Sequence, residues 1–126
     1  MTHVAQSYTR IRSGFRLRAD EGDAVGRFAQ HTKLTATRGN ADRLAQKFLE
    51  SAAAQRENPE CELMIVSKSP VDEDILFLTE VWSSESEWER ARRSPEVVKW
   101  ASDMPSLVAD APETVRLDPL GGKGLS

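Results

Sequence analysis

The first predicted element is a strand in which apolar and polar side chains alternate. Within residues 27–37, Phe28, Leu34 and Ala36 fall on one side of an extended chain. His31 falls on the other side. This period of two is typical of a strand with one face in a core. The Arg38-Gly39 pair that follows predicts a turn.

A helix is predicted after Asn40, whose side chain can accept a hydrogen bond from an unpaired backbone N–H at the helix start. Apolar residues then recur at i, i+3 and i+4, which places them on one stripe: Ala41, Leu44, Ala45, Phe48, Leu49 and Ala52. We expect the helix to end near Asn58-Pro59, because proline cannot continue the hydrogen-bond ladder.

Two strands joined by a hairpin-type loop come next. Residues 61–68 predict the second strand and residues 74–82 the third. The third strand is largely apolar on both sides: one parity holds Ile75, Phe77, Thr79 and Val81, and the other holds Leu76, Leu78, Glu80 and Trp82. A strand with this composition has to be covered on both faces.

The last third of the chain predicts more helix and a final strand. Ser84 and Glu87 have the spacing of a capping box, which begins a helix over about 85–93. Ser94-Pro95 restarts or kinks that helix, since proline is tolerated in a first turn. The buried side then continues to about residue 109 through Val97, Val98, Trp100, Ala101, Met104, Leu107 and Val108. Residues 113–120 alternate and predict the last strand.

The predicted order is strand, helix, strand, strand, helix, strand. This is the split βαβ, ferredoxin-like arrangement, an α+β fold with an antiparallel sheet. Two helices cover one face of such a sheet, whereas the third strand needs cover on both. The economical cover for the second face is another copy of the same sheet, so the pattern predicts a homodimer packed through its sheet faces.

Composition narrows the function classes. The chain has 126 residues, the size of one domain, and its net charge of −3 argues against a dedicated nucleic-acid-binding protein. No apolar run approaches the ~20 residues that cross a bilayer, and no secretory signal is evident, so we expect a cytoplasmic protein without a membrane anchor. One cysteine, Cys61, and two histidines argue against a cysteine-based or multi-histidine metal site.

The N-terminal residues 1–26 differ from the rest. Residues 1–19 hold four arginines and no acidic residue. Basic starts of this kind occur in organelle transit peptides, in anion-binding arms and in flexible extensions. We expect a flexible extension over residues 1–26, followed by a single domain over residues 27–126.

Four short segments together resemble one known family. Residues 36–41 (ATRGNA) are similar to its turn between the first strand and helix, residues 79–84 (TEVWSS) to the end of its third strand, residues 93–97 (RSPEV) to its second helix, and residues 120–125 (LGGKGL) to a tail frequent in bacterial members. Over about residues 27–125 the chain resembles the antibiotic biosynthesis monooxygenase family, in the branch described as quinol monooxygenases. The resemblance implies a dimeric α/β barrel built from two ferredoxin-like subunits.

The resemblance also implies an oxygenase that needs neither metal nor flavin. Characterised relatives oxidise electron-rich phenolic rings, such as anthrones and quinols, with O2. The resemblance implies that the protein helps to deprotonate the substrate and holds the anion in a pocket that excludes water. The implied partners are a small aromatic substrate and O2, with no cofactor. Two alternatives stay open: a non-catalytic dimeric barrel that binds a small aromatic ligand, and a haem-binding or haem-degrading protein.

Several residues can be compared with those that matter in the family. Trp82 falls on a tryptophan that lines the cavity of many members, although packing alone would also explain it. Trp88 lies near a tyrosine of anthrone-oxidising members, and an indole cannot act as a base. Leu78 replaces an asparagine of those members. Thr32 replaces an asparagine of haem-degrading members, whose helical histidine has no counterpart within residues 85–109.

Three ionisable side chains complete the predicted site. His31 can act as a base near neutral pH, but its side of the strand faces either the helices or the space between two sheets. Glu80 shares the parity of Trp82 and is an ion-pair partner or a second base. Arg92 lies on a helical face typical of solvated ion pairs, and an alternative role is to steer an anionic ring. We therefore expect Trp82 and His31 to be catalytic, and the substrate to be bound by Thr32, Leu78, Glu80, Trp88 and Arg92.

Overall fold

The computed structural model of the chain describes residues 26–125. These residues form four strands and three helices in the order β1 (Phe28–Thr35), α1 (Ala41–Ala54), β2 (Cys61–Lys68), β3 (Ile75–Trp82), α2 (Glu85–Arg92), α3 (Pro95–Ala101) and β4 (Glu113–Leu117), with a 3-10 turn at Met104–Ser106. The strands lie in the order β2-β3-β1-β4, and all neighbours are antiparallel. The predicted ferredoxin-like α+β fold is confirmed.

Two further predictions fall on other parts of the chain. The extension predicted for residues 1–26 lies, apart from Gly26, outside the described residues. Within residues 26–125, no helix is long and apolar enough to cross a membrane. The predicted cytoplasmic location stays a prediction.

The strand register assigns each side chain to one of two faces. Gln30 of β1 lies opposite Glu80 of β3, and two residues further along Thr32 lies opposite Leu78. Leu78 belongs to the buried cluster that includes Leu44 of α1. Because side chains alternate along a strand, the even-numbered residues of β1 and β3 point to the helices.

The other side of the sheet, which we call the open face, carries the residues of opposite parity. One row of it crosses all four strands through Ile65, Thr79, His31 and Val115. Ile65 is 46% exposed and Val115 57% exposed. Val115 and Leu117 share this face of β4, and exposed apolar side chains that adjoin in this way are typical of a surface that meets another molecule.

The helical layer is fixed to the sheet by a few large side chains. Leu44 of α1 is fully buried, and Phe48 one turn later is 6% exposed. Trp100 of α3 packs against Phe48 in a T-shaped arrangement, with 5.2 Å between ring centroids and 70° between the ring planes. The Trp100 indole N–H also donates to the carbonyl of Lys47 at 2.7 Å. These contacts hold α3 beside α1.

Helices α2 and α3 each begin directly after a serine, Ser84 and Ser94. Ser84 Oγ accepts a hydrogen bond from the backbone N–H of Glu87, and Ser94 Oγ accepts one from Val97, each at 3.3 Å. The predicted cap at Ser84 is therefore confirmed, and Ser94, where the sequence predicted a restart or a kink, caps the next helix in the same way. The Glu87 carboxylate pairs with Arg90 at 3.6 Å, so the second half of the predicted capping box is not made.

Asn40 is the N-cap residue of α1, as predicted, but its side chain makes no hydrogen bond to the helix start. Its backbone lies at φ −110° and ψ 10°, outside the extended conformation, and its side-chain amide donates to Thr37 Oγ1 at 2.7 Å. Helix α1 also ends earlier than predicted. The Asn58 side chain donates to Gln55 Oε1 and accepts from the Glu60 N–H, and such local bonds stabilise a turn in place of more helix.

The C-terminal elements are shorter than the periodicity predicted. Helix α3 ends at Ala101, and Val98 is 59% exposed, so the expected buried side does not include it. Strand β4 ends at Leu117, because Pro119 lacks the N–H that a sheet neighbour needs.

Candidate active site

A cavity of about 710 Å³ lies between the sheet and the helices. This is the size of typical small-molecule sites. The strands supply Gln30, Thr32, Leu34, Met64, Leu78, Glu80, Trp82 and Thr114. The helices and loops supply Phe48, Ser51, Gln55, Trp88, Ala91, Arg92, Val97, Val98, Trp100, Ala101, Met104 and Pro112.

All three tryptophans of the chain line this cavity, although they come from three different elements: Trp82 from β3, Trp88 from α2 and Trp100 from α3. Trp88 stacks on Phe28 of β1, with 4.5 Å between centroids and 26° between planes. Such walls suit a flat aromatic ligand through stacking and apolar contact.

The main polar group of the cavity floor is the carboxylate of Glu80, which is 5% exposed. The Trp82 indole N–H donates to its Oε1 at 2.9 Å, and the Gln30 side-chain amide donates to its Oε2 at 3.0 Å. Trp82 reaches Glu80 because residues two apart on a strand share a face. Gln30 reaches it because the register places the two residues opposite each other. Neutral donors thus hold both oxygens in place.

The thiol of Cys61 lies at the same end of the sheet. An irregularity between Cys61 and Leu63 brings Cys61 opposite Trp82. Burial raises the pKa of the Cys61 thiol to about 11, and the negative charge of Glu80 contributes to the increase. The thiol is therefore protonated at neutral pH, where it is a poor nucleophile.

Thr32 and Leu78 lie beside Glu80 on the floor, and each is 8% exposed. The Thr32 hydroxyl shares a hydrogen bond of 3.2 Å with the hydroxyl of Thr114 on β4. Leu78 presents only an apolar surface. The floor therefore changes from charged at Glu80 to apolar at Leu78 over two residues of one strand.

The wall formed by α2 carries Trp88 and Arg92. The Arg92 guanidinium carbon lies 4.6 Å from the centre of the Trp88 ring, a cation–π contact. Behind Trp88, the Arg116 guanidinium lies 4.2 Å from the centre of the Phe28 ring and donates to Glu85 at 3.1 Å. These contacts connect β4, β1 and α2, and they hold Trp88 against the cavity.

The structure does not bring His31 to this cavity. The side chain lies on the open face, where Nδ1 is 2.9 Å from Thr79 Oγ1 and the ring stacks on Phe77 at 5.3 Å. The sequence had left its side undecided. Since His31 is adjacent to Thr32 on β1, strand alternation sends the two side chains to opposite faces. The other predicted site residues all line the cavity: Trp82, Thr32, Leu78, Glu80, Trp88 and Arg92.

Gln30 and Trp100 also line the cavity, although the sequence did not assign them to the site. Gln30 shares the parity of Thr32, so a signal was present, but its pairing with Glu80 depends on the register between β1 and β3. Trp100 was expected in the core or at an interface, and it also lines the cavity.

A metal ion or a haem iron would need ligating side chains among the described residues or in the cavity lining. Among residues 26–125, no three His, Cys, Asp or Glu side chains are grouped so that they could hold a metal ion. No histidine of the same residues lines the cavity.

Comparison with known proteins gives a consistent answer. A family model described as "Antibiotic biosynthesis monooxygenase" matches residues 27–103. A candidate antibiotic biosynthesis monooxygenase from Chloroflexus aurantiacus J-10-fl has a similar structure, with 28% identity and a TM-score of 0.71, covering 80% of this chain and 100% of that one. A search of curated proteins found no significant match.

Two further solved structures show the same fold. A candidate of the same description from Caulobacter crescentus CB15 is 19% identical, with a TM-score of 0.71, and covers 82% of this chain and 99% of that one. One from Deinococcus radiodurans is 22% identical, with a TM-score of 0.66, and covers 75% of this chain and 94% of that one.

Proposed function

The chain belongs to the antibiotic biosynthesis monooxygenase family, which indicates a monooxygenase-like or small-molecule-binding domain, and from this premise we propose that it is a cofactor-independent monooxygenase. Its substrate is an electron-rich phenolic, quinol or anthrone-type aromatic, and its oxidant is O2. The observation that supports this most directly is the buried Glu80 carboxylate in a cavity lined by three tryptophans.

In this proposal Glu80 accepts the proton of the substrate's hydroxyl group. The carboxylate is oriented before the substrate arrives, because Trp82 and Gln30 each donate to one of its oxygens. A carboxylate oxygen can accept more than one hydrogen bond, so both remain able to accept a substrate proton. A base positioned in this way typically contributes a factor of about 10² to 10⁴ in rate.

The oxidation uses electrons from the substrate alone. The deprotonated ring transfers one electron to O2, which gives a substrate radical and superoxide. The two combine at a ring carbon as a peroxide anion, which takes back the proton that Glu80 had accepted. Where that carbon carried two hydrogens, as in an anthrone, the peroxide loses water and leaves a carbonyl group. In sum, a CH2 group and O2 become C=O and water. The apolar walls keep bulk water from the anion and so strengthen its contacts with protein dipoles.

We propose that the active form is a homodimer joined through the open face. The support is the exposure of Ile65, Val115 and Leu117 there, at 46%, 57% and 36%. A twofold axis through this face would pair each sheet with its copy. The cavities lie on the opposite face of each sheet and would remain accessible.

The proposed activity is tested by oxygen uptake with an anthrone and with a reduced naphthoquinone, in the presence of a chelator and without added flavin. Spontaneous oxidation is subtracted from a blank without protein. We expect uptake above the blank, and with heavy-isotope O2 one labelled oxygen atom in the anthrone product. Uptake equal to the blank for both substrates would contradict the proposal. If the same compounds still quenched the tryptophan fluorescence, the alternative of a non-catalytic aromatic-binding module would be favoured.

A further inference from the structure

Among the described residues, two charged side chains line the cavity, and they lie in different layers. Glu80 belongs to β3 on the floor, and Arg92 belongs to α2 on the wall. They form no ion pair with each other. The cavity therefore has a negative group and a positive group at separate positions, with apolar and aromatic surface between them.

Arg92 differs from two arginines near it, Arg90 and Arg116, which are paired with carboxylates. Arg90 pairs with Glu87 at 3.6 Å, and Arg116 pairs with Glu85 at 3.1 Å. Arg92 has no carboxylate partner within residues 26–125, and its guanidinium lies over the Trp88 ring. A cation–π contact uses the ring face and no hydrogen-bond acceptor, so the N–H groups of the guanidinium are not taken by a carboxylate of the protein and can bind a ligand carboxylate through two hydrogen bonds.

Arg92 also borders a second, smaller recess of about 210 Å³, which it lines with Glu89 and Arg93. Glu89 makes no ion pair with Arg92. Arg92 is thus shared between the cavity and this recess, which also holds the Arg93 guanidinium and the Glu89 carboxylate. An acidic group on a bound ligand would find Arg92 available without displacing a carboxylate of the protein.

We infer that the natural ligand is an aromatic hydroxy acid, whose hydroxyl group binds Glu80 and whose carboxylate binds Arg92. This inference rests on the proposed function. The negative charge of Glu80 disfavours a carboxylate at the floor, so only one orientation satisfies both ends of the molecule. Arg92 is then a specificity-determining residue that selects acidic ligands and directs the hydroxyl group to Glu80.

The test compares a hydroxynaphthoic acid, with its hydroxyl and carboxyl groups at opposite ends of the ring system, with its methyl ester. Binding is followed by tryptophan fluorescence, since all three tryptophans line the cavity. At low ionic strength we expect the acid to bind about threefold to tenfold more tightly than the ester, as a partly exposed pair allows. The preference should shrink in high salt.

Two variants of α2 make the test specific. Arg92→Met should abolish the preference for the acid or reverse it, because the Glu80 charge remains. Arg90→Met is the matched control, since Arg90 lies on the same helix but does not line the cavity. It should keep the preference.

Each other outcome has a distinct meaning. Equal binding of acid and ester to the wild type, or an unchanged preference in Arg92→Met, would overturn the assignment of Arg92. The proposed oxidation would stand in that case, because the ester shows that the cavity binds an aromatic ring. If neither compound bound, the inference would be overturned. An intact preference for the acid together with no oxygen uptake from any substrate would contradict the proposed oxidation and support the acidic ligand.

Discussion

The indole N–H of Trp82 donates to Glu80 Oε1 at 2.9 Å, which joins two residues of one strand whose side chains both face the cavity. The donor is neutral, as is the amide of Gln30 on the other oxygen. The carboxylate is therefore oriented without a cation that would neutralise it. In the proposed function, Glu80 accepts the substrate proton and Trp82 positions the carboxylate that does so.

The link between Trp82 and Glu80 should appear in stability. We expect Trp82→Phe to lower the free energy of unfolding by roughly 1–3 kcal/mol, because it removes a buried hydrogen bond to a carboxylate. In a double-mutant cycle, Trp82→Phe should cost about 1 kcal/mol less in the Glu80→Gln background than in the wild type, because the interaction between the two residues is already weakened there. Urea unfolding of the four proteins at one protein concentration measures this. Additive losses would show that the two residues do not interact.

The charge of Glu80 should also be detectable at Cys61. Because that charge contributes to the raised pKa of the thiol, about 11, Glu80→Gln should lower the pKa. Removing a nearby negative charge favours the thiolate, and a more stable thiolate means a lower pKa of the thiol. The rate of alkylation by iodoacetamide, measured from pH 7 to 11, should therefore rise at a lower pH in this variant.

The control for this measurement is Glu73→Gln, which changes an exposed glutamate in the loop between β2 and β3. Its alkylation profile should match that of the wild type. An identical profile in Glu80→Gln would show that the cavity carboxylate carries no charge that reaches Cys61.

The open face gives a prediction about assembly. A lysine at Val115 would place two ammonium groups in an apolar interface between sheets, where unpaired charge is costly. Val115→Lys should therefore convert a dimer into a monomer of about 14.0 kDa, as measured by light scattering after gel filtration. Val71→Lys is the control, because Val71 is a 92% exposed loop residue. A monomeric wild type would contradict the proposed interface, as would a dimeric Val115→Lys.

Local sequence patterns were sufficient for most of the fold. Strand β2 covers the predicted residues 61–68, because alternation is a property of neighbouring residues. Residue type placed the N-cap at Asn40 but could not show that its side chain makes no hydrogen bond to the helix, since that depends on backbone angles set by the turn before it. The early end of α1 depends on which groups the Asn58 side chain contacts.

A site residue could be predicted from the sequence where the alternation of side chains along a strand decides which face of the sheet it lies on. Parity alone placed Glu80 and Trp82 on one face. Which face the helices cover is decided by packing, so the side of His31 stayed open until the structure was known. The bond from Gln30 to Glu80 joins residues 50 positions apart, and a pairing of that range depends on strand register.

The most direct test of the central claim is oxygen uptake by Glu80→Gln beside Glu73→Gln and the wild type. The Gln30 amide can rotate to present its oxygen to the new amide, so the variant should fold. At neutral pH and saturating substrate we expect kcat to fall by about 10²-fold or more in Glu80→Gln and to stay at the wild-type level in Glu73→Gln. The deficit should shrink as pH approaches about 10, where a phenol ionises unaided. A Glu80→Gln protein with kcat within about twofold of the wild type would contradict a role for this carboxylate as the proton acceptor.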